Sequence, residues 1–119
     1  MINVKDEVFA AIKDISENVS DSYPKDWSSF PAIQYVEEDN KVAEYTDAKE
    51  QKAYVRYKID IWHNRSTSVT ALAVDAAIAP LGLRRIQCTD VDDPTGHKHK
   101  MMRYEGIIDV ETKQVYQNN

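Results

Sequence analysis

The chain has 119 residues and carries 15 Lys+Arg against 20 Asp+Glu, a formal charge of −5, with 42% hydrophobic and 29% charged residues. That balance supplies enough apolar material for one core with a radius of gyration of about 13–14 Å, and it excludes wholesale disorder and argues against affinity for bulk nucleic acid. Gly82, Gly96 and Gly106 stand too far apart for a G-x-G-x-x-G turn, a Walker A loop or a G-x-S-x-G elbow, and the single Cys88 excludes an internal disulfide or a C-x-x-C zinc module.

Val4, Val8, Ile12, Ile15 and Val19 recur at steps of four and three, which predicts an amphipathic helix ending before Tyr23, where Pro24 and its polar neighbours form a turn. Residues 30–36 read as a first or edge strand, with Pro31 tolerated at its start. Residues 37–50 hold six acids against Lys41 and Lys49, with little periodicity, and read as a flexible acidic loop. In residues 53–62, Ala53, Val55, Tyr57, Ile59 and Ile61 alternate with mostly polar residues, the clearest strand pattern in the chain, one face buried and one wet. Residues 64–68 offer helix caps, and the alanine-rich run after them predicts a second helix close to the sheet, with Val69, Leu72, Ala73 and Ala76 on one face and Val74, Ile78 and Leu81 beside them, weakened in its last turn by Pro80 and ended by a left-handed Gly82.

Residues 83–89 and 99–110 read as two more strands, joined by a polar hairpin loop over residues 90–97. The expected fold is a single α+β domain spanning residues 1–119. It is a two-layer sandwich in which a mainly antiparallel four-stranded sheet carries two helices on one face, in the order α-β-β-α-β-β. Residues 114–119 read as a frayed tail. No apolar run reaches the roughly 20 residues needed to cross a bilayer, and no basic segment followed by an apolar one opens the chain, so neither a membrane association nor a signal peptide is expected.

Three constellations invite chemistry. His97 and His99, with Asp92, Asp93 and Cys88 nearby, have the residue types of a metal site and suggest a small metal-dependent hydrolase, although lysines beside them repel cations. His63 near Asp60 has the elements of a general base, without an evident nucleophile. Cys88 alternates with Ile86, which predicts a buried, inert thiol. Solvated loop histidines and a structural role account for the same residues, so no cofactor, metal or catalytic residue is assigned.

The remaining signals concern surfaces. Tyr54 and Trp62 fall on the wet face of their strand and are candidates for an interface or, in a dimeric ligand-binding domain, for a pocket on the exposed sheet. Charge is segregated: Glu37, Glu38, Asp39 and Glu44 lie in the acidic segment, whereas Arg84, Arg85, Lys98, Lys100 and Arg103 make residues 84–103 net basic. Opposite patches of this kind suit a head-to-tail assembly, in which different surfaces of neighbouring copies meet.

Phe30-Pro31-Ala32-Ile33 before an acidic segment, Tyr57-Lys58-Ile59-Asp60-Ile61-Trp62, Leu81-Gly82-Leu83-Arg84-Arg85, Lys100-Met101-Met102-Arg103-Tyr104-Glu105-Gly106 and Val115-Tyr116 together resemble the tail terminator, or tail completion, proteins of long-tailed bacteriophages. The resemblance runs in order along nearly the whole chain, in core and turn residues and without a catalytic signature. It implies a structural virion protein and no enzyme: a homo-oligomeric ring, typically hexameric, assembled in the host bacterial cytoplasm on the head-proximal end of the tail tube. Such a ring stops tube polymerisation and meets the head connector, with the tube protein and the connector or neck protein as partners. A head-to-tail joining neck protein is the near alternative. An acidic subunit suits a conduit through which DNA passes without specific binding, because like charge repels phosphate.

Overall fold

The alternation over residues 53–62 builds the middle of the sheet. In the computed structural model, which describes residues 1–113, this run lies within β3 (Lys49–His63), and all five of its inward residues are sealed from solvent. Around it the chain runs α1 (Lys5–Ile12), β1 (Asn18–Ser20), β2 (Ala32–Thr46), β3, α2 (Ser68–Ile78), β4 (Arg84–Val91) and β5 (Lys98–Asp109), with a 3-10 turn after α2. The sheet has five strands in the order β1-β2-β3-β5-β4. The pairs β2–β3, β3–β5 and β5–β4 are antiparallel, and β1 lies parallel to the start of β2. The expected four-stranded sheet is thus corrected to a five-stranded mixed one.

The extra strand comes from the end of the predicted first helix. α1 stops at Ile12, and although Ile15 and Val19 still pack on the core, they do so from a non-helical chain. Local bonds outcompete the helix there: the Ser16 hydroxyl donates to the Pro31 carbonyl, the Asn18 amide to Ser16 Oγ, and the Asn18 side chain to the carbonyls of Asp26 and Ser29. An apolar stripe at helical spacing therefore served two different elements.

The acidic segment is also corrected. Residues 37–46 continue β2, and only Asp47 and Ala48 separate it from β3. Both have positive φ, 54° and 61°, as a two-residue type I′ hairpin turn requires. Asp-Ala lacks the glycine that usually announces such a turn, which is why the hairpin reads as a loop. The long hairpin stretches the molecule to 51 × 28 × 25 Å and raises its radius of gyration to 15.3 Å, above the value expected from length.

One hydrophobic core lies between the sheet and both helices, joining Val8 and Ile12 of α1 and Ala71, Val74 and Ile78 of α2 to Ile33, Tyr57, Ile59, Ile61, Met102 and Tyr104. Of the two apolar groups read on α2, the one with Val74 and Ile78 turns inward, together with Thr70 and Ala71, whereas Val69 and Leu72 are 78% and 72% exposed. The helix has two apolar lines, and the smaller Ala71 permits the closer approach to the sheet. Gly82, at φ 81°, ends the 3-10 turn as its left-handed cap, as the sequence predicts. The expected tail at residues 114–119, and Val115-Tyr116, lie outside the described residues.

Candidate functional site

Pleating sends Tyr54, Arg56, Lys58, Arg103 and Glu105 to the sheet face opposite the helices, where register sets Lys58 beside Arg103 and Arg56 beside Glu105. A bulge at Glu38, between the Glu37–Tyr57 and Asp39–Arg56 pairs, adds its carboxylate to this group. Glu38 accepts from Arg103 Nε at 2.8 Å and Nη2 at 3.2 Å, and from Arg56 Nε at 3.3 Å. The hydrogen bonds from Arg103, aided by both guanidinium charges, hold its carboxyl below the usual glutamate range against the opposing effect of burial. Tyr54 donates to Glu105 at 2.6 Å, and Arg84 bonds the other oxygen of the same carboxylate at 2.8 Å. The Tyr54 bond, then that from Arg84, lowers the Glu105 carboxyl, while the Tyr54 hydroxyl is raised.

Much of the segregated charge is therefore matched inside the subunit. Arg103 and Glu38, expected to face each other across copies, are bonded within one chain, as are Arg85 with Asp75, Lys100 with Asp90, and Lys52 with Glu44. Glu37 accepts from the Tyr57 hydroxyl at 3.0 Å, and burial, then this bond, pushes the Tyr57 phenol well above its usual value. Asp39 and Lys41 approach to 3.8 Å, with Lys41 over the Tyr54 ring. Lys98 is exposed near the loop that joins β4 and β5.

Trp62 is not on a wet face. It is 2% exposed, roofed by Tyr23 and Trp27 from the segment before β2, with ring centroids 5.6 and 5.9 Å away. His99, opposite it in register, stacks on it at 4.4 Å, while His97 stacks on Trp27 and lies tilted against Phe30, at 5.0 Å each. The His99 Nε2 lies 2.8 Å from Asp60 and its Nδ1 3.2 Å from Asp93; Asp93 also accepts from the indole N–H of Trp62 at 2.5 Å. Burial raises the Asp93 carboxyl, but bonds from the Thr95 amide and hydroxyl and from Trp62, with the nearby His99, outweigh it and lower the group overall.

This cluster fastens the β4–β5 loop to the end of the sheet. Both His99 nitrogens face carboxylates, so neither is turned to an ion, and among the described residues no group of three or more His, Cys, Asp and Glu side chains is placed to hold a metal. His63 accepts from the Arg65 amide and does not meet Asp60, whose partners are His99 and Lys58. Asp92 is exposed. A groove of about 570 Å³ lies beside the cluster, between residues 65–68 and residues 90–99. Cys88, expected in the core, is exposed: β4 lies at the sheet edge, and an open groove lined by Ala71, Leu72, Asp75, Arg85 and Met102 runs between it and α2.

The surface that sequence reasoning missed is apolar. Val69 and Leu72 of α2 stand bare near β4, where Ile86 is 42% exposed, and Val42 and Tyr45 of β2 are 51% and 63% exposed toward the hairpin tip. Two apolar lines on α2 were the available signal, since a helix that is hydrophobic on more than one side has more than one surface to cover. No protein-family model matches the sequence, and no curated protein matches it significantly.

Proposed function

We propose that this chain is a ring-forming structural subunit of the tail-terminator type, which closes the head-proximal end of a phage tail tube and offers a surface to the head connector. The observation that carries the reading is the placement of the bare apolar side chains. Ile86 of β4 and Leu72, which lines a groove with Arg85 and Cys88 of β4, lie at one side of the sheet with Val69 one turn away on the same helix, and Val42 and Tyr45 lie on the β2 side; Met1, Phe9 and Tyr23 are exposed outside these two groups. Two unlike patches on opposite sides suit heterologous contacts, which form a ring where the rotation between copies closes, whereas a two-fold dimer needs one self-complementary patch. The order of core and turn residues shared with tail terminators supports the same reading, and a charge of −5 suits passage of DNA by repulsion.

Light scattering of the purified protein tests assembly, and electron microscopy of tails made without its gene tests the role. A ring-sized particle and over-long, headless tails are expected. A single-subunit mass at high concentration, or tails of normal length joined to heads, overturns the reading.

A further inference from the structure

We infer that neighbouring subunits join by pairing the free edge of β4 with the free edge of β2 in the next copy, so that one sheet continues from subunit to subunit. The inference rests on the ring reading and names its contact. β1 pairs with β2 only at Ala32–Gln34, so no strand among the described residues pairs with the outer edge of β2 over residues 35–46. At the other end of the sheet, β4 has β5 as its one strand partner among the described residues. Unpaired strand edges carry rows of backbone donors and acceptors ready to bind another strand.

Direction favours this partner. Three successive antiparallel pairings make β2 and β4 run opposite ways across the sheet. A copy related by a ring rotation thus brings its β2 beside β4 as an antiparallel neighbour, the arrangement the sheet already uses. Charge agrees in the register that sets Cys88 opposite Val42: Arg84 and Arg85, 78% and 49% exposed despite their internal partners, come beside Glu44, and Asp90 comes beside Lys41, whereas Glu37 and Glu38 are already matched inside the subunit. Bulges confine the regular part of each free edge to residues 87–91 of β4 and 39–42 of β2; the first contains neither lysine nor proline and one charge, Asp90, and the second carries Asp39 and Lys41.

Cys88 supplies the test. It pairs with Met102 and so points to the helix face of β4; Val42, which pairs with Ala53, points to that face of β2. Directly opposed residues of antiparallel strands are close enough for a disulfide, and a short bis-maleimide tolerates a shifted register. Val42→Cys is made in the full chain, with Val42→Cys/Cys88→Ser as control, and each is treated with both reagents. Most Val42→Cys chains are expected to shift from the single-subunit band into a covalent ladder ending at the ring size, with no ladder in the control. A ring-sized particle without a ladder overturns this pairing and leaves the ring reading standing. Cross-linking of unaltered chains into dimers through Cys88 overturns it in favour of two-fold β4–β4 pairing. A single-subunit mass by light scattering before cross-linking overturns both readings.

Discussion

The two ends of the β2–β3 ladder share one backbone design and differ in what lies against them. At one end Ala32, Ile33, Ile61 and Trp62 are sealed by helices on one face and an aromatic roof on the other; at the other end Val42, Tyr45 and the Asp47–Ala48 turn stand in solvent. Backbone pairing persists over both, so hydrogen bonding alone does not mark where the molecule is stable. What differs is burial, and local opening is expected to be far easier at the tip. The closed end holds the fold, and the tip is free to meet another chain.

Breaking the closed end has the largest expected effect. Trp62→Ala removes the ring on which Tyr23, Trp27 and His99 converge and leaves Asp93 without the indole donor; it is expected to cost about 3–5 kcal/mol in urea unfolding. A loss below about 1 kcal/mol would mean that the roof contributes little.

His99→Ala comes next, at about 3 kcal/mol, because it strands the buried Asp60 carboxylate with only Lys58 at 3.5 Å. The β4–β5 loop loses one of its ties, the His99–Asp93 contact, in the same variant and keeps the Trp62–Asp93 bond, so moderately faster amide exchange at residues 92–97 is expected beside the lower midpoint.

Midway between the two ends, the Glu38 contacts sharpen the comparison through pH. The folded-state pKa of Glu38 is depressed, so its contribution is complete above its unfolded value of about 4.5 and is lost as pH falls through the folded value. Glu38→Gln is expected to cost about 1–2 kcal/mol at neutral pH and to flatten the decline of the urea midpoint between about pH 5 and pH 3. An unchanged acid limb would show that Arg56 and Arg103 do not stabilise the carboxylate.

The smallest effect is expected at the tip and has the opposite sign. Ala48 sits at φ 61°, where an L side chain is strained, so Ala48→Gly should stabilise by about 0.5–1 kcal/mol and slow exchange of the amides in residues 40–46. Loss of protection there would contradict the hairpin turn itself.

Local pattern made part of this molecule readable in advance. The inward alternation from Ala53 to Ile61 follows from a two-residue period, and the Gly82 cap follows from the need for positive φ after a helical turn. Val8 and Ile12 were legible as core for the same reason, but Val19 was not legible as part of a strand, since spacing cannot show that Ser16 and Asn18 bond elsewhere. The Asp47–Ala48 turn lacked its customary glycine. At the surface, the charges of Glu38 and Arg103 were visible, while their union within one chain was not.

Periodicity and composition alone thus established an acidic chain with two helical segments and a strand over residues 53–62 whose alternate side chains are buried, because those properties depend on neighbours in sequence. Which apolar line of α2 would be covered, that Trp62 would lie beneath Tyr23 and Trp27, and that Glu38 would meet Arg103 across 65 residues were decided only when the sheet brought distant segments together. Burial and ion pairing depend on proximity in space, and the chain order does not encode proximity until the fold has closed.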